Sequence, residues 1–181
     1  RILQENITTD RDLPPFDRVT MDGIAIDYAT FQAGQRSFKI ESVGAAGAAQ
    51  TTLQDPKNCI EIMTGAMCPR QADTVIRYED VEIENGTATI QIDTIRHRQN
   101  VHFQGSDRKK NTVVARSGVR ISPAEIGVAA SVGKASLLVS ALPKIQIIST
   151  GDELIEVSET PLPHQIRTSN VYTIQAALKQ W

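Results

Sequence analysis

Between about residues 37 and 121 the apolar positions fall in short runs rich in Val, Ile and Thr, cut by Gly, Asn, Asp and Pro. That is the pattern of β-strands joined by tight turns. The clearest case is "VEIENGTATIQI". Val81 and Ile83 alternate with polar residues, Asn85-Gly86 tolerates the positive φ of a tight turn, and Ala88, Ile90 and Ile92 alternate on the return. The spacing predicts a β-hairpin. "SFKIESVG", "CIEIMTG", "DTVIRYED", "NTVV" and "GVRI" predict further strands, so the middle of the chain reads mostly as sheet.

At "SPAEIGVAASVG" the period changes to that of a helix. Ser122 is placed to cap it, Pro123 to occupy its first position, Glu125 to complete a capping box, and Gly133 to end it. "ASLLVSALPKIQIISTGDEL" then predicts two strands separated by Pro143, the second closing in a Thr150-Gly151 turn. In "TSNVYTIQAALKQW", Val171, Ile174, Leu178 and Trp181 recur at helical spacing behind a Ser169 cap. A strand followed by one helix starts an α/β unit without covering both of its apolar faces, so the sequence is expected to be part of a longer protein.

Composition narrows the class. The 181 residues are 40% hydrophobic and 22% charged, enough for a sizeable core in one or two domains. A formal net charge of -2 supplies no general attraction to nucleic acid or anionic lipid. The most apolar stretch is interrupted by Gly133 and Lys134 before the roughly 18 uninterrupted residues of a membrane span. "RILQENITTD" lacks the order of a secretory signal, so export is not expected, and Cys59 and Cys68 have neither disulfide-framework nor zinc spacing. A reduced, cytoplasmic setting is the expectation.

Four polar corners follow predicted strands: Asp22 in "TMDG", Thr64 in "MTGA", Asp107 in "GSD", and Asp152 with Glu153 in "STGDEL". Each couples a carboxylate or hydroxyl to Gly, which lets backbone approach a ligand closely. Carboxylates gathered this way suit a hard cation such as Mg²⁺, and N–H groups at the same turns suit an oxyanion. Taken singly, Asp and Gly are also the commonest turn residues.

The ordered set resembles the N-terminal region of the molybdopterin molybdenumtransferases, the molybdenum insertases that include the E domain of gephyrin. "RILQENI" is similar to that family's opening strand. "LPPFDRVTMDGIAI" is similar to its Pro-Phe-Asp and Met-Asp-Gly signature, and "IEIMTGAMCPRQADTVIRYED" to its Thr-Gly-Ala segment. "GSD", "IGVAASVG", "ISTGDEL" and "SNVYTIQAAL" follow in family order.

The resemblance implies a mainly β fold with a few helices, in two lobes. A discontinuous β domain (1–8 and 112–143) would carry an inserted β domain (9–111). Residues 144–181 would begin an incomplete α/β molybdopterin-binding domain. It also implies insertion of molybdate into adenylylated molybdopterin with release of AMP, and a homodimer whose clefts are shared between subunits. A molybdopterin adenylyltransferase would be a further partner. The residues carried over are Asp22, Thr64, Asp107 and Glu153 for catalysis, with Asp22, Asp107 and Glu153 as Mg²⁺ ligands. Gly23, Gly65, Ala66, Asp152, Ser169 and Asn170 would contact the pterin nucleotide.

Two carboxylates of the family pattern are replaced, by Ser106 in "GSD" and by Thr168 in "HQIRTSN", where His164 also stands for Gly. A catalytically impaired relative acting as a binding or scaffolding module is therefore the competing reading. The chain by itself is expected to be inactive. The basic stretch "RHRQNVHFQGSDRKK" reads as a solvated strand-and-loop face, in which His97 and His102 share no metal. Cys59 is expected buried and Cys68 exposed in a turn.

Overall fold

The computed structural model describes residues 1–180. Its first elements are β1 (Ile7–Thr8), β2 (Arg18–Val19), β3 (Gly23–Ile26), α1 (Tyr28–Gln32) and β4 (Ser37–Gly44). β5 (Asn58–Ile62) and β6 (Thr74–Arg77) follow, then β7 (Val81–Glu84), β8 (Thr87–Ile90), β9 (Val101–His102), β10 (Val113–Ala115) and α2 (Pro123–Ser131). β11 (Leu154–Ile155), β12 (Ile166–Arg167) and α3 (Asn170–Leu178) complete the set. The chain divides into two compact units, one from Arg1 to Ser140 and a second beginning at Ala141.

In the first unit six strands form one mixed sheet in the order β6-β3-β5-β4-β8-β7. β3 lies antiparallel to both β5 and β6, whereas β4 runs parallel to β5. The hairpin of β7 and β8 forms as the alternation predicts, with Asn85 and Gly86 at φ 48° and 75°. Its return strand ends at Ile90, so Ile92 lies outside it.

Strand β3 was not legible as a strand, for a packing reason. Ile24 and Ile26 enter a core of Phe31, Phe38, Cys59, Ile76 and Ile90, while Ala25 between them packs with Val19, Ile62, Ala66, Cys68 and Val75. A strand buried on both faces has no polar alternation to announce it. Each fully buried Ile of this sheet contributes on the order of 1.5–3 kcal/mol.

A third cluster joins the two ends of the first unit. Leu3 and Ile7 pack with Ala129 and Val132 of the α2 region, and β1 pairs antiparallel with β10. α2 carries the expected capping box, Ser122 accepting from the Ala124 N–H and Glu125 accepting from the Ser122 N–H. It closes with Gly133 at φ 77°: the Gly133 N–H donates to the Ala130 carbonyl and the Lys134 N–H to that of Ala129. These bonds satisfy carbonyls that the helix end would otherwise orphan.

Four expectations fail, the first being the strand before Pro143, where residues 135–142 contribute only a single bridge, Val139 with Leu3. Gly118–Ile121 contributes only a single bridge, Arg120 with Ile2. Residues 144–150 form no strand, and Ile145 and Ile148 are exposed, because among the described residues no neighbouring strand takes up their hydrogen bonds. In the second unit β11 instead pairs parallel with β12. Ser169 stands at the cap position of α3, but its side chain makes no capping bond; its carbonyl accepts from Thr173. Trp181 lies outside the described residues. Among these, no helix is long and apolar enough to cross a membrane.

Candidate functional site

Asp22 sits at the start of β3, and Thr64 follows β5, the strand beside it. Gly23 pairs with Ile62 across these strands, which brings the two corners together although the residues are 42 apart in sequence. Asp22 Oδ1 accepts the Thr64 N–H at 2.6 Å, and the Asp22 carbonyl accepts the Tyr78 N–H at 3.1 Å. Gly23 is required here by space. A Cβ at this position would stand 1.8 Å from the carbonyl oxygen of Ile76 on β6. The Met-Asp-Gly corner thus presents a carboxylate from a strand packed against its neighbour more tightly than any side chain permits.

The Thr64 N–H, with its hydroxyl, holds the Asp22 carboxyl below the usual carboxylate range. A lowered folded-state pKa means that this interaction is complete above the unfolded carboxylate pKa of about 4 and is lost as pH falls through the lower folded value. The Thr64 amide resonance, followed by NMR, is therefore expected to stay constant from neutral pH to about 4 and to move only below it. Movement centred near pH 6 would show that Asp22 is not so held.

The rest of the Thr-Gly-Ala corner is internally bonded. The Gly65 N–H donates to the Val19 carbonyl, the Ala66 N–H to that of Met63, and the Val19 N–H to that of Ala66. Gly65, at φ 87°, makes the turn. With Thr64 on Asp22, all three N–H groups of the corner have partners, so the Thr64 hydroxyl and the Asp22 carboxylate are what it offers a ligand.

Asp107 lies on a separate turn, locked to the Pro-Pro segment. Its N–H and that of Arg108 both donate to the Leu13 carbonyl, and the Gly105 N–H donates to that of Pro14. Asp107 Oδ1 is 3.0 Å from His102 Nε2 on β9. The Ser106 hydroxyl donates to the Phe103 carbonyl at 2.8 Å, which makes Ser106 a turn residue. Asp17 knits these segments together: its carboxylate accepts the Gln104 N–H and its carbonyl accepts the Cys68 N–H. A cleft of about 400 Å³ runs beside Asp17, lined also by Phe16, Arg70, Asp73 and Arg98.

Asp152 and Glu153 belong to the second unit, where both are exposed. Gly151, at φ 149°, lies under the Glu153 carboxylate, and the Glu153 carbonyl accepts the Ile166 N–H at 2.8 Å. Thr168 donates from both its N–H and its hydroxyl to the Ile155 carbonyl. Ser169 and Asn170 follow directly at the start of α3.

Among the described residues no three His, Cys, Asp or Glu side chains stand where one ion could take all of them. The donors nonetheless fit Mg²⁺ of the kind held by one or two carboxylates together with substrate phosphates and water. Asp22 and Asp107 are both exposed carboxylates held in fixed corners. They do not fit an all-protein cage.

Among the neighbours of these corners, Tyr78 is one that no sequence signal singled out. Tyr78, beside Asp22, donates its hydroxyl to Glu61 at 2.6 Å, and burial followed by that carboxylate pushes the phenol up. His97 pairs with Asp73 at 2.8 Å, so the two histidines serve different carboxylates. Cys68 is buried, contrary to expectation, because its turn is folded against Ala66 and Val75. Burial pushes both thiols up to about 12, which leaves neither a thiolate nucleophile. The basic stretch is an exposed face, in which Lys109 reaches Asp12 and Arg98 lies over the Phe103 ring.

A mixed sheet whose strand ends set Asp22 on Thr64, with Asp107 on a separate turn, defines a mainly β unit that presents exposed carboxylates at fixed corners. The chain belongs to the MoeA family: residues 1–133 match the MoeA N-terminal region (domain I and II). A molybdopterin molybdenumtransferase from Synechocystis sp. is 41% identical over 99% of this chain and 46% of its own length. One from Staphylococcus epidermidis is 34% identical over 99% and 44%. A crystal structure of the molybdopterin biosynthesis MoeA protein from Pyrococcus horikoshii superposes with a TM-score of 0.85, at 32% identity over 99% of this chain and 47% of that one. The chain thus spans a little under half the length of these relatives.

Proposed function

We propose that the full-length protein is a molybdenum insertase, transferring molybdate into adenylylated molybdopterin with release of AMP. The single observation that carries this reading is the Asp22 carboxylate clamped on the Thr64 N–H, which joins two family motifs into one corner. The naming of relatives as molybdopterin molybdenumtransferases supports it. Asp22, Thr64, Asp107 and Glu153 act at the reacting centre, and Asp152, Ser169 and Asn170 contact the pterin nucleotide. Gly23, Gly65 and Ala66, which the resemblance implies as contacts, instead shape the corner that presents Asp22 and Thr64. Asp22 and Asp107 of one subunit, with Glu153 contributed across the shared cleft by the other, are the residues that would hold Mg²⁺, since the described residues of one chain do not gather three such ligands. Bound there, the ion would neutralise charge on the phosphoanhydride. Thr64 offers its hydroxyl to an oxyanion, and the exposed corners leave room for a large substrate.

The inserted domain, residues 9–111, completes the cleft of a second subunit, so the protein works as a homodimer. A molybdopterin adenylyltransferase supplies its substrate in the cytoplasm. The 181-residue chain alone does not turn over. Its separate core clusters, one holding Leu3, Ile7 and Ala129 and two within residues 19–95, support the division into a discontinuous and an inserted domain.

A non-catalytic scaffold is the second reading, favoured by the Ser106 and Thr168 hydroxyls, both bonded to backbone carbonyls. Expression of the full-length protein in a bacterium lacking its own molybdopterin molybdenumtransferase separates the two. The insertase reading expects molybdoenzyme activity to return. No return from a folded, expressed protein, with activity appearing only in a Thr168→Asp variant, establishes a decayed enzyme.

A further inference from the structure

β2 and β9 form a two-stranded antiparallel ladder in which Arg18 stands directly opposite His102 and Val19 opposite Val101. Directly opposed side chains of such a pair share one face and lie within contact distance. Arg18 Nη2 is 3.3 Å from His102 Nδ1, while His102 Nε2 is 3.0 Å from Asp107 Oδ1. A guanidinium has five N–H donors and no acceptor, so Nδ1 must accept. The neutral ring then carries its proton on Nε2, facing the carboxylate. Turning the ring over would set carbon atoms against both partners and leave each without its bond.

We propose that Arg18 and His102 are positioning residues for Asp107: Arg18 fixes the proton of His102 on Nε2, and that N–H sets the rotation of the Asp107 carboxylate. The proposal rests on the reading of Asp107 as a residue of the insertase site. The backbone of the corner needs no help from His102. Asp107 and Arg108 are tied to the Leu13 carbonyl, Gly105 to that of Pro14, and Ser106 to that of Phe103. Only the carboxylate, 57% exposed, is left to rotate. A single directed bond from a ring held in a strand pair supplies what the turn does not.

The arrangement also joins the candidate corners through one short strand. Arg18 of β2 acts on Asp107 through His102, and Val19, the next residue, accepts the N–H of Gly65 beside Thr64. A shift of β2 would therefore disturb both. His102 takes this role through its two distinct nitrogens, one accepting and one donating, in the way outer partners orient a ligating side chain.

Full-length protein labelled with ¹⁵N-histidine tests the geometry by long-range ¹H–¹⁵N spectra at neutral pH, with the His102→Leu variant assigning the signal. The proposal expects an Nε2–H tautomer for His102 and a loss of that preference in Arg18→Leu. An Nδ1–H ring in the unmodified protein overturns it. A second arm compares AMP release by His102→Gln and His102→Leu. Gln offers one acceptor and one donor group and is expected to stay within about 2-fold, while Leu lowers kcat about 10-fold at unchanged KM for the pterin nucleotide and unchanged melting temperature. Equal losses in the two variants, or a loss carried by KM or by stability, also overturn it. If the unmodified protein shows the Nε2–H ring yet releases no AMP, the insertase reading fails and the positioning of Asp107 stands.

Discussion

Gly23→Ala is expected to lower the stability of the full-length protein by about 3 kcal/mol or more, the upper end of what overpacking costs. The added methyl carbon would lie 1.8 Å from the Ile76 carbonyl oxygen, 2.7 Å from its carbon and 2.8 Å from the Cα of Arg77, all of them backbone. No rotamer change relieves such a clash; β3 and β6 must separate, and β3 is an inner strand bonded on its other side to β5. Urea unfolding measures the effect. Gly127→Ala supplies the contrast, since a Cβ there meets nothing within 4 Å and Gly127 lies inside α2. That change is expected to stabilise by about 0.5–1 kcal/mol, because Gly costs a helix interior that much relative to Ala. A Gly23→Ala protein less than about 1 kcal/mol below the unmodified one would show that the two strands are not so close.

Asp22→Asn is expected to reduce molybdate-dependent AMP release by the full-length protein about 100-fold or more, the scale on which one preorganised polar group at a reacting centre acts. The substitution isolates charge from shape. The Asn side-chain oxygen can still accept the Thr64 N–H, so the corner keeps its fold while losing the carboxylate. Unfolding should change little, because Asp22 is exposed. Retention of full activity with the amide would mean that the corner binds through its shape alone.

How much of this was legible depended on where each signal resided. The hairpin at Asn85-Gly86 and the helix between Ser122 and Gly133 were readable because their determinants are local: two positive-φ residues, a capping box and a left-handed terminator. β3 was hidden because both its faces are covered, and the parallel pairing of β4 with β5 because it depends on a connection through residues 45–57 that carries no pairing signal of its own. The segment at Lys144 read as a strand from Ile145, Ile147 and Ile148, yet apolar content does not supply a hydrogen-bonding neighbour.

The candidate site divides in the same way. Asp22 and Thr64 were recognisable as motif residues, whereas their mutual hydrogen bond depends on the Gly23–Ile62 register. His102 was set aside because it would share no metal with His97. Its five-residue offset from Asp107 across the Gly105 turn was the available clue, but Arg18, 84 residues away, was not.

AMP release by the purified full-length protein, supplied with adenylylated molybdopterin and Mg²⁺ and assayed with and without molybdate, tests the central claim most directly. The account predicts release that requires molybdate and disappears in Asp22→Asn. A folded protein that releases no AMP, or releases it equally without molybdate, contradicts it.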